Sequence, residues 1–304
     1  MTGIFQVMLG TFSTGTGFIA TTGDTWIFGG YDYANSALRS YTTKISGTTF
    51  AHSEMTNASN AISGTSGFGN DVYGFTAQGS SGTIQKRTYA TDTATTGSSS
   101  GASHSQGWAM FNATRAIVGQ NTGTSTYKYV YATDTWTSGT SLTYGSSDNY
   151  AGGVTCGTYG IYTGYNGTSS NNTKYTFATD TSAASGSSMT QTQNAREQVC
   201  NTTFALRPQV GANAVDKWTF ATLTESSGTA WGITRPLSGS ANGAGIGGDK
   251  DNGIVAMGFT TVYSVYDKIY KCVLSSETWS ESTALTYDRY GGSVTSTSPA
   301  SLAV

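Results

Sequence analysis

The sequence carries little charge of either sign. Lysine and arginine together number 15, aspartate and glutamate 17, and charged residues make up 11% of the chain, against about 25% in an average soluble domain. Proteins that bind nucleic-acid phosphates or anionic membrane surfaces carry an excess of basic residues. Because no such excess is present, we expect neither nucleic acid nor a membrane to be a partner.

Residues that build reactive sites are also scarce. His52 and His104 are the only histidines, which excludes a three-histidine metal site, and no GxSxG, HExxH or Walker-type motif is present. Cys156, Cys200 and Cys272 are widely spaced and odd in number, so we interpret them as small buried hydrophobic residues rather than a disulfide framework. No apolar run approaches 18 residues, so no membrane-spanning helix is predicted. We expect a protein that is not an enzyme and holds no cofactor.

Glycine, in contrast, is abundant. The 304 residues include 40 glycines and only three prolines, which is roughly twice the usual share of glycine. Glycine, threonine, serine and asparagine all disfavour long helices. Aromatic residues (12%) and hydrophobic residues (37%) are spread along the chain and suffice for a buried core. The composition therefore predicts a large all-β protein.

A short segment recurs along the chain. It begins with a basic residue, alternates aromatic and polar residues, and most often closes with Ala-Thr-Asp-Thr. The six copies begin at Arg39, Lys86, Lys128, Lys174, Lys217 and Lys271. The intervals between them are 47, 42, 46, 43 and 54 residues, so six repeats of this length account for nearly the whole sequence.

Alternation with a period of two residues is typical of a β-strand, and bulky residues on both faces predict a strand packed between two sheets. The lysine stem is expected to lie on apolar surface with its ammonium in water. The following Thr-Asp-Thr predicts a turn in which the aspartate accepts from a nearby backbone N–H. With an apolar strand before the segment, a small-residue strand before that and a short outer strand after it, the pattern predicts a six-bladed β-propeller of four-stranded antiparallel blades.

One repeat shows a family resemblance in detail. It runs from Leu142-Thr-Tyr through Tyr150-Ala-Gly-Gly-Val and Tyr159-Gly-Ile-Tyr-Thr-Gly to Lys174-Tyr-Thr-Phe, and it resembles a kelch repeat. The chain departs from that pattern, because the paired glycine after the second strand survives only as Gly29-Gly30. The Tyr-Ala-Thr-Asp-Thr core is similar to the kelch-like repeats of virion proteins from bacteriophages of aquatic bacteria. This resemblance covers residues 39 to 290 and implies a propeller that belongs to a virion.

A closed ring must join its last blade to its first. Residues 290–297 have the composition of an inner strand, and we expect them to pair beside residues 25–30 and complete the first blade. The rival arrangement uses residues 17–20. The chain is thus divided into an apolar arm, residues 1–16, and a propeller, residues 17–304. The arm residues Ile4, Phe5, Val7, Met8 and Leu9 either contact another subunit or fold back over one end of the ring.

Candidate binding residues lie in segments rich in tyrosine, asparagine, serine and glycine, a composition typical of adaptable recognition surfaces. They are Tyr31, Tyr33, Tyr144, Tyr150, Tyr165 and Asn166. Tyrosine presents a flat apolar body with a polar end, which suits a sugar ring or another protein. The alternative interpretation is that glycine and asparagine in these segments only satisfy turn geometry.

Two further patterns could belong to a metal site or a catalytic site, but each lacks a residue that such a site needs. Asp249 and Asp251 could be ligands of a calcium ion, but the segment lacks the distal glutamate of a complete loop, and we interpret it as a hairpin turn without metal. Sialidase-type propellers use converging arginines with a tyrosine nucleophile. Four arginines lie near predicted strand starts, but no acidic partner recurs beside them. They are Arg115, Arg196, Arg235 and Arg289.

The favoured hypothesis is a non-enzymatic structural protein of a bacteriophage virion, in the tail or fibre or on the capsid, located outside the cell. Its expected partners are other virion proteins, bound through the arm, and a glycan or protein on the host surface. The alternative is a secreted carbohydrate-binding or carbohydrate-active propeller. An intracellular kelch adaptor is disfavoured because no companion domain is present for it to connect.

Overall fold

The structure is a computed structural model. It describes residues 23–32, 37–47, 49–57, 66–77, 82–102, 104, 107–120, 123–145, 152–163, 171–188, 199–208, 214–230, 245–248, 251–256, 269–282, 284–285 and 293–296. All regular structure in these residues is β-strand. The described residues contain no helix of the length and apolarity that crossing a bilayer requires.

Twenty-four strands form six separate antiparallel sheets of four, which confirms the predicted fold class. In chain order they are β1 (Thr25–Asp32), β2 (Ala37–Ile45), β3 (His52–Met55), β4 (Ser66–Gly69), β5 (Tyr73–Ala77), β6 (Thr83–Thr88), β7 (Thr93–Ser99), β8 (Trp108–Phe111), β9 (Arg115–Gly119), β10 (Thr126–Val130), β11 (Thr135–Ser138), β12 (Gly152–Thr155), β13 (Tyr159–Thr163), β14 (Asn171–Thr176), β15 (Thr181–Ser188), β16 (Val199–Cys200), β17 (Phe204–Pro208), β18 (Val215–Thr219), β19 (Thr224–Ser227), β20 (Gly245–Gly248), β21 (Asn252–Ala256), β22 (Ile269–Val273), β23 (Thr278–Glu281) and β24 (Ser293–Ser296).

The sheets are the blades of a six-bladed propeller. Blade 1 has the order β24-β1-β2-β3, and blades 2 to 6 are built from β4–β7, β8–β11, β12–β15, β16–β19 and β20–β23. The innermost strand of each blade contacts that of the next, from β24 through β4, β8, β12, β16 and β20 back to β24. These contacts close the ring around a central axis.

Blade 1 is completed by the end of the chain. β24 pairs with β1 in antiparallel register, from Thr25 opposite Ser296 to Phe28 opposite Ser293. The inner strand of blade 1 therefore comes from residues 293–296, within the stretch 290–297, and not from residues 17–20. Joining the last strand to the first sheet covers the edges that an open ring would expose. The arm, residues 1–16, lies outside the described residues.

The hydrophobic core lies between neighbouring blades. The described apolar residues form six clusters, one at each seam of the ring. At the seam of blades 2 and 3, Phe68 and Phe75 of one blade pack against Tyr129 and Tyr131 of the other, with the rings of Phe75 and Tyr131 stacked at 5.2 Å between centroids. Tyr129 and Tyr131 lie on one face of their strand, as the period of two predicts.

Glycine near the axis allows neighbouring blades to approach closely. A Cβ at Gly153 on β12 would lie 2.3 Å from the carbonyl oxygen of Ala109 on β8. A Cβ at Gly253 on β21 would lie 2.4 Å from Cβ of Val199 on β16. These separations are too short for any side chain, so the small residues of these strands are a packing requirement.

The ring has two different ends. The turns between the first and second strands and between the third and fourth strands lie at one, which we call the turn end. The connections between the second and third strands and from blade to blade lie at the other, the loop end. At the turn end the Oδ1 atoms of Asn112 and Asn201 accept backbone N–H groups two and three residues ahead, at 2.8–3.1 Å, which reverses the chain.

We expect Gly253→Ala to lower the free energy of unfolding by about 1–3 kcal/mol, because the added methyl group forces β21 away from Val199. Chemical denaturation of the purified full chain measures this. The second variant Val199→Ala, combined with Gly253→Ala, should recover part of the loss. Equal stability of Gly253→Ala and wild type would contradict the close packing of blades 5 and 6.

Candidate functional site

Of the predicted binding residues, the structure describes Tyr144 and the backbone of Tyr31, and both lie towards the loop end. Tyr31 lies in β1, where its backbone pairs with Leu38, and Tyr33 follows that strand. Tyr144 lies in the connection from blade 3 to blade 4. Tyr33, Tyr150, Tyr165 and Asn166, and the side chain of Tyr31, lie outside the described residues.

Most of these residues are close in sequence to the ends of blade 4. Gly152 at the start of β12 pairs with Thr163 at the end of β13. Tyr150 comes two residues before this pair and Tyr165 two residues after it. Blade 1, which carries Tyr31, stands opposite blade 4 in a six-bladed ring. By sequence position, the candidates therefore divide into a group near the strands of blade 4 and a group near β1.

Tyr144 is the candidate whose side chain the structure describes, and it is 37% exposed. The chain leading to Tyr144 and the backbone of Tyr144 itself are held against blade 4. The N–H of Thr143 donates to Oγ of Ser182 at 2.8 Å, and the N–H of Tyr144 donates to Oγ1 of Thr173 at 3.1 Å. Leu142 is buried in the seam between blades 3 and 4. Tyr144 is thus an aromatic ring presented to solvent on a fixed backbone, which suits recognition of a sugar or a protein.

A buried ion pair at the loop end was missed by the sequence analysis. Arg207 and Asp216 are directly opposite on β17 and β18, their charged atoms are 2.5 Å apart, and their side chains are 5% and 7% exposed. The sequence holds no local signal for this pair, because the register that sets the two charges opposite each other depends on the connection between the strands. Each buried charge is neutralised by its partner, whose removal would leave an uncompensated buried charge, and the pair links the adjoining ends of β17 and β18 within blade 5.

The turn between the third and fourth strands has one recurrent geometry. One residue in each such turn has a positive φ of 50–59°, a left-handed conformation that aspartate tolerates better than most side chains. These residues are Phe50, Asp92, Asp134, Asp180, Leu223 and Glu277. The predicted turns are present at all five Ala-Thr-Asp-Thr-like positions and at the weaker first copy.

The acidic turn residues bind the preceding blade. Asp180 of blade 4 accepts from Nζ of Lys128 of blade 3 at 2.6 Å. Glu277 of blade 6 accepts from Nζ of Lys217 of blade 5 at 2.5 Å and from the N–H of Thr229 at 2.9 Å. We call such a contact between a turn residue and the preceding blade a clasp. The lysine ammonium groups predicted to reach water are in these cases bound to a carboxylate.

Burial alone would raise the pKa of Asp134, but hydrogen bonds from Tyr129 and Ser98 outweigh it and hold the pKa below its usual value. Burial would also raise the pKa of Glu277. Hydrogen bonds from Lys217 and Thr229 outweigh this effect and hold the pKa of Glu277 below its usual value. Both turn residues are therefore charged at neutral pH, and both are held by donors of the preceding blade.

Each aspartate also has a donor within its own blade, five residues earlier. The hydroxyl groups of Tyr129 and Tyr175 donate to Asp134 and Asp180, and the guanidinium of Arg87 pairs with Asp92. Where the turn residue is apolar, the residue five positions earlier is apolar too: Ile45 precedes Phe50, and Trp218 precedes Leu223. Glu277 departs from this matching, because Cys272 stands five positions before it, so the matching is a partial sequence signal for the contacts within a blade.

Two seams use apolar clasps instead. Phe50 packs in the seam of blades 6 and 1, with Nζ of Lys271 3.7 Å from its ring centroid. Leu223 packs in the seam of blades 4 and 5. There the ammonium of Lys174 lies over the ring of Tyr159 at 4.2 Å, and the buried Nε1 of Trp218 meets no acceptor among the described residues.

The remaining candidate residues are the possible calcium ligands and the cysteines. Asp251 is exposed and its carbonyl accepts from the N–H of Leu274 at 2.8 Å, whereas Asp249 lies outside the described residues. Within the part of the chain that is described, no group of three or more histidine, cysteine or acidic side chains could hold a metal ion. Burial raises the pKa of Cys200 and Cys272 to about 12, which keeps both thiols protonated.

Of the four arginines of the sialidase-like alternative, the structure describes Arg115, whereas Arg196, Arg235 and Arg289 lie outside the described residues. Arg115 begins β9 at the turn end, where its guanidinium donates to the carbonyl of Phe177 at 3.4 Å.

His104 is fully buried in the connection from blade 2 to blade 3. Its ring stacks on Trp136 at 5.4 Å between centroids and meets the edge of Tyr127 at 5.2 Å. Nε2 lies 2.6 Å from Oγ of Ser100. Burial lowers the pKa of His104 to about 4, although a backbone hydrogen bond to Gly119 opposes the shift. The imidazole is therefore neutral at pH 7.

Comparison with known proteins defines the fold and nothing narrower. No protein family and no curated protein matches the sequence. The fold is similar to many solved structures. One is the structure of YjhT, which superimposes with a TM-score of 0.63 at 13% sequence identity, over 79% of this chain and 89% of YjhT. At this identity the similarity shows a shared fold only.

We expect Leu223→Asp to raise the free energy of unfolding by about 1 kcal/mol. Aspartate relieves the left-handed strain and gives Trp218 and Lys174 an acceptor. Asp180→Leu is the matched reverse change and should destabilise the protein, because it removes the acceptor of Lys128 and Tyr175. Chemical denaturation measures both. A loss of stability in Leu223→Asp would show that the leucine's apolar contacts outweigh the missing hydrogen bonds.

We expect the free energy of unfolding to fall as the pH drops from 6.5 to 4, because the unfolded chain protonates His104 before the folded chain does. A pKa lowered from 6.5 to about 4 corresponds to roughly 3 kcal/mol in total. Denaturation curves at pH 7 and pH 4 should differ less in His104→Phe than in wild type. His52→Gln is the control and should retain the wild-type difference; an unchanged difference in His104→Phe would refute the assignment.

Proposed function

We propose that this protein is a non-enzymatic structural component of a bacteriophage virion, with its turn end attached to other virion proteins and its loop end turned outward. The outward surface contacts a glycan or protein on the host. The location is the particle itself, outside the cell. The observation that carries the proposal is the placement of the paired residues Thr25 and Ser296 at the turn end of the ring and of the exposed Tyr144 at the opposite end.

The positions of the chain ends support attachment through the turn end. β1 begins at Thr25 and β24 ends at Ser296, and these two residues are paired. Asp24 accepts from the N–H of Gly47 at 3.1 Å and from Nζ of Lys44 at 2.6 Å, which fixes the point where the chain enters the turn end. The arm, residues 1–16, precedes this point in the sequence. Its apolar residues 4–9 are suited to burial against a second protein.

The composition of the loop end supports recognition. Tyr144 is exposed at 37% on a segment hydrogen-bonded to Thr173 and Ser182. A rigid aromatic side chain loses little conformational entropy on binding. Variable connections on a rigid scaffold are the usual place for binding residues, and the propeller places all its longer connections at this end.

The repeat supports the virion. Each unit carries a version of Lys-Tyr-Thr-Phe-Ala-Thr-Asp-Thr, which is similar to the kelch-like repeats of bacteriophage virion proteins.

A secreted carbohydrate-binding or carbohydrate-active propeller is the alternative. It would present acids and arginines together at the loop end, and it would turn over or retain glycans without any particle.

We expect deletion of residues 1–16 to leave the propeller folded and to abolish its incorporation into particles, because the ring is closed by residues from 25 onward. The thermal unfolding curve tests the fold, and quantitative mass spectrometry of purified particles tests incorporation. Tyr144→Ala is the matched control, which should be incorporated normally. A deletion variant that is still incorporated would overturn the attachment through the arm.

Wild type and Tyr144→Ala together distinguish the possible roles within the virion. Saturable binding of the purified wild-type protein to host cells, weakened in Tyr144→Ala, would place the propeller in a tail or fibre. Normal incorporation without any host-cell binding would place it on the capsid. Turnover on a glycan panel by the isolated protein would favour the secreted carbohydrate-active alternative.

A further inference from the structure

Two cysteines face each other across the seam between blades 4 and 5. Cys156 follows β12 and packs in the apolar cluster of this seam together with Ala205 and Trp218 of blade 5. Cys200 on β16 is directly opposite Ala205, which is itself opposite Trp218. Paired residues of antiparallel strands share one face of the sheet, so Cys200 lies on the face of blade 5 that is turned toward blade 4. It packs against the same cluster as Cys156.

A hydrogen bond across the seam brings the two cysteines close. Sγ of Cys200 donates to the carbonyl oxygen of Thr155 at 3.5 Å, and Thr155 directly precedes Cys156. Because a carbonyl oxygen lies about 2.8 Å from Cα of the next residue, Sγ of Cys200 is no more than about 6.5 Å from Cα of Cys156. Burial raises the pKa of Cys200 to about 12, and the proximity of Cys156 adds to this shift, although the bond to Thr155 opposes it.

Turn geometry does not account for a cysteine at position 156. Asn70, Asn112 and Asn201 hold the equivalent position between the first and second strands of their blades, where the side-chain oxygen accepts N–H groups two and three residues ahead. Cys156 keeps the backbone bond of this turn, to the carbonyl of Tyr159 at 3.1 Å. A thiol is a weak acceptor, and Sγ of Cys156 instead donates to the same carbonyl at 3.4 Å. The blade has therefore exchanged the side chain that suits the turn for one that faces a second thiol.

The same seam has an apolar clasp. Leu223 packs there, whereas Asp180 and Glu277 give an ion pair to the seam of blades 3 and 4 and to that of blades 5 and 6. A covalent bond between the two cysteines would join two blades whose clasp contains no charge.

We propose that Cys156 and Cys200 form a disulfide bond that joins blades 4 and 5 when the protein meets a low-molecular-weight disulfide. Cys200 is partly exposed, whereas Cys156 is buried, so the thiolate of Cys200 attacks one sulfur of the reagent and releases the first molecule of thiol. The thiolate of Cys156 then attacks Sγ of Cys200 in the mixed disulfide and releases the second. The two protein thiols lose two electrons and two protons, and the reagent gains them as it is reduced to two thiols. Because the pKa of Cys200 is raised, little thiolate is present at pH 7 and the exchange is slow.

The experiment incubates the purified, reduced full chain with oxidised glutathione in mildly alkaline buffer and follows its intact mass. We expect wild type to lose two hydrogen atoms, and peptide mapping without reductant to show Cys156 and Cys200 in one cross-linked peptide. The two cysteines are 44 positions apart, and a cross-link over this length should raise Tm by about 4–8 °C, a rise that dithiothreitol reverses. A chain that keeps its reduced mass, or that carries glutathione on Cys200 without the cross-link, would overturn the proposal.

Single variants assign the chemistry to the pair. Cys156→Ser and Cys200→Ser should each lose the cross-link and the rise in Tm, and in Cys156→Ser the glutathione should remain on Cys200 because the second thiol is missing. Cys272 lies in the seam of blades 5 and 6, so Cys272→Ala is the matched control and should keep both the cross-link and the rise in Tm. A wild-type rise in Tm in Cys200→Ser would refute the site. The peptide map of wild type tests the proposal even where a variant folds poorly.

Discussion

Each blade of this propeller has apolar residues on faces that only its neighbours can cover. The clusters between blades, such as Phe68 and Phe75 against Tyr131, are the core, and no blade contains a core of its own. Apolar burial contributes about 25 cal/mol per Å², so a ring open at one seam would lose the contribution of a whole cluster. Pairing of β24 with β1 is therefore the constraint on which the stability of every seam depends.

The clasps show that different chemistries can fill one position of the repeat. The turn requires a residue with a left-handed backbone conformation, which favours aspartate. The seam requires that the side chain of this residue find a polar or apolar partner on the preceding blade. Asp180 meets both conditions through Lys128, whereas Leu223 meets the second by packing in an apolar cluster. The two lysine–carboxylate pairs are partly exposed, and pairs of this kind contribute modest net stability, so an apolar contact takes their place at the seams of Phe50 and Leu223.

The sequence was sufficient to predict the six blades, because strand alternation and the repeat length are local properties that one chain displays directly. It also indicated that residues 290–297 would supply the missing inner strand. It did not predict which partner the turn acids would bind, because periodicity gives the face of a strand but not the neighbour beyond it. The pair Arg207 and Asp216 was missed because its register depends on the connection between two strands. Tyr144 was found by composition, but its support by Thr173 and Ser182 arises only when two blades meet.

The two ends of the ring are under different constraints. At the turn end, short turns of fixed geometry carry the clasps, so a change in length there would separate a carboxylate from its partner on the preceding blade. At the loop end, each connection begins after its strand has finished pairing with the neighbouring strands. An insertion into such a connection therefore costs little stability. The residues that contact a ligand at the loop end can therefore change without disturbing the seams or the pairing of β1 with β24. This separation makes a closed propeller suitable for presenting a variable surface from a fixed attachment.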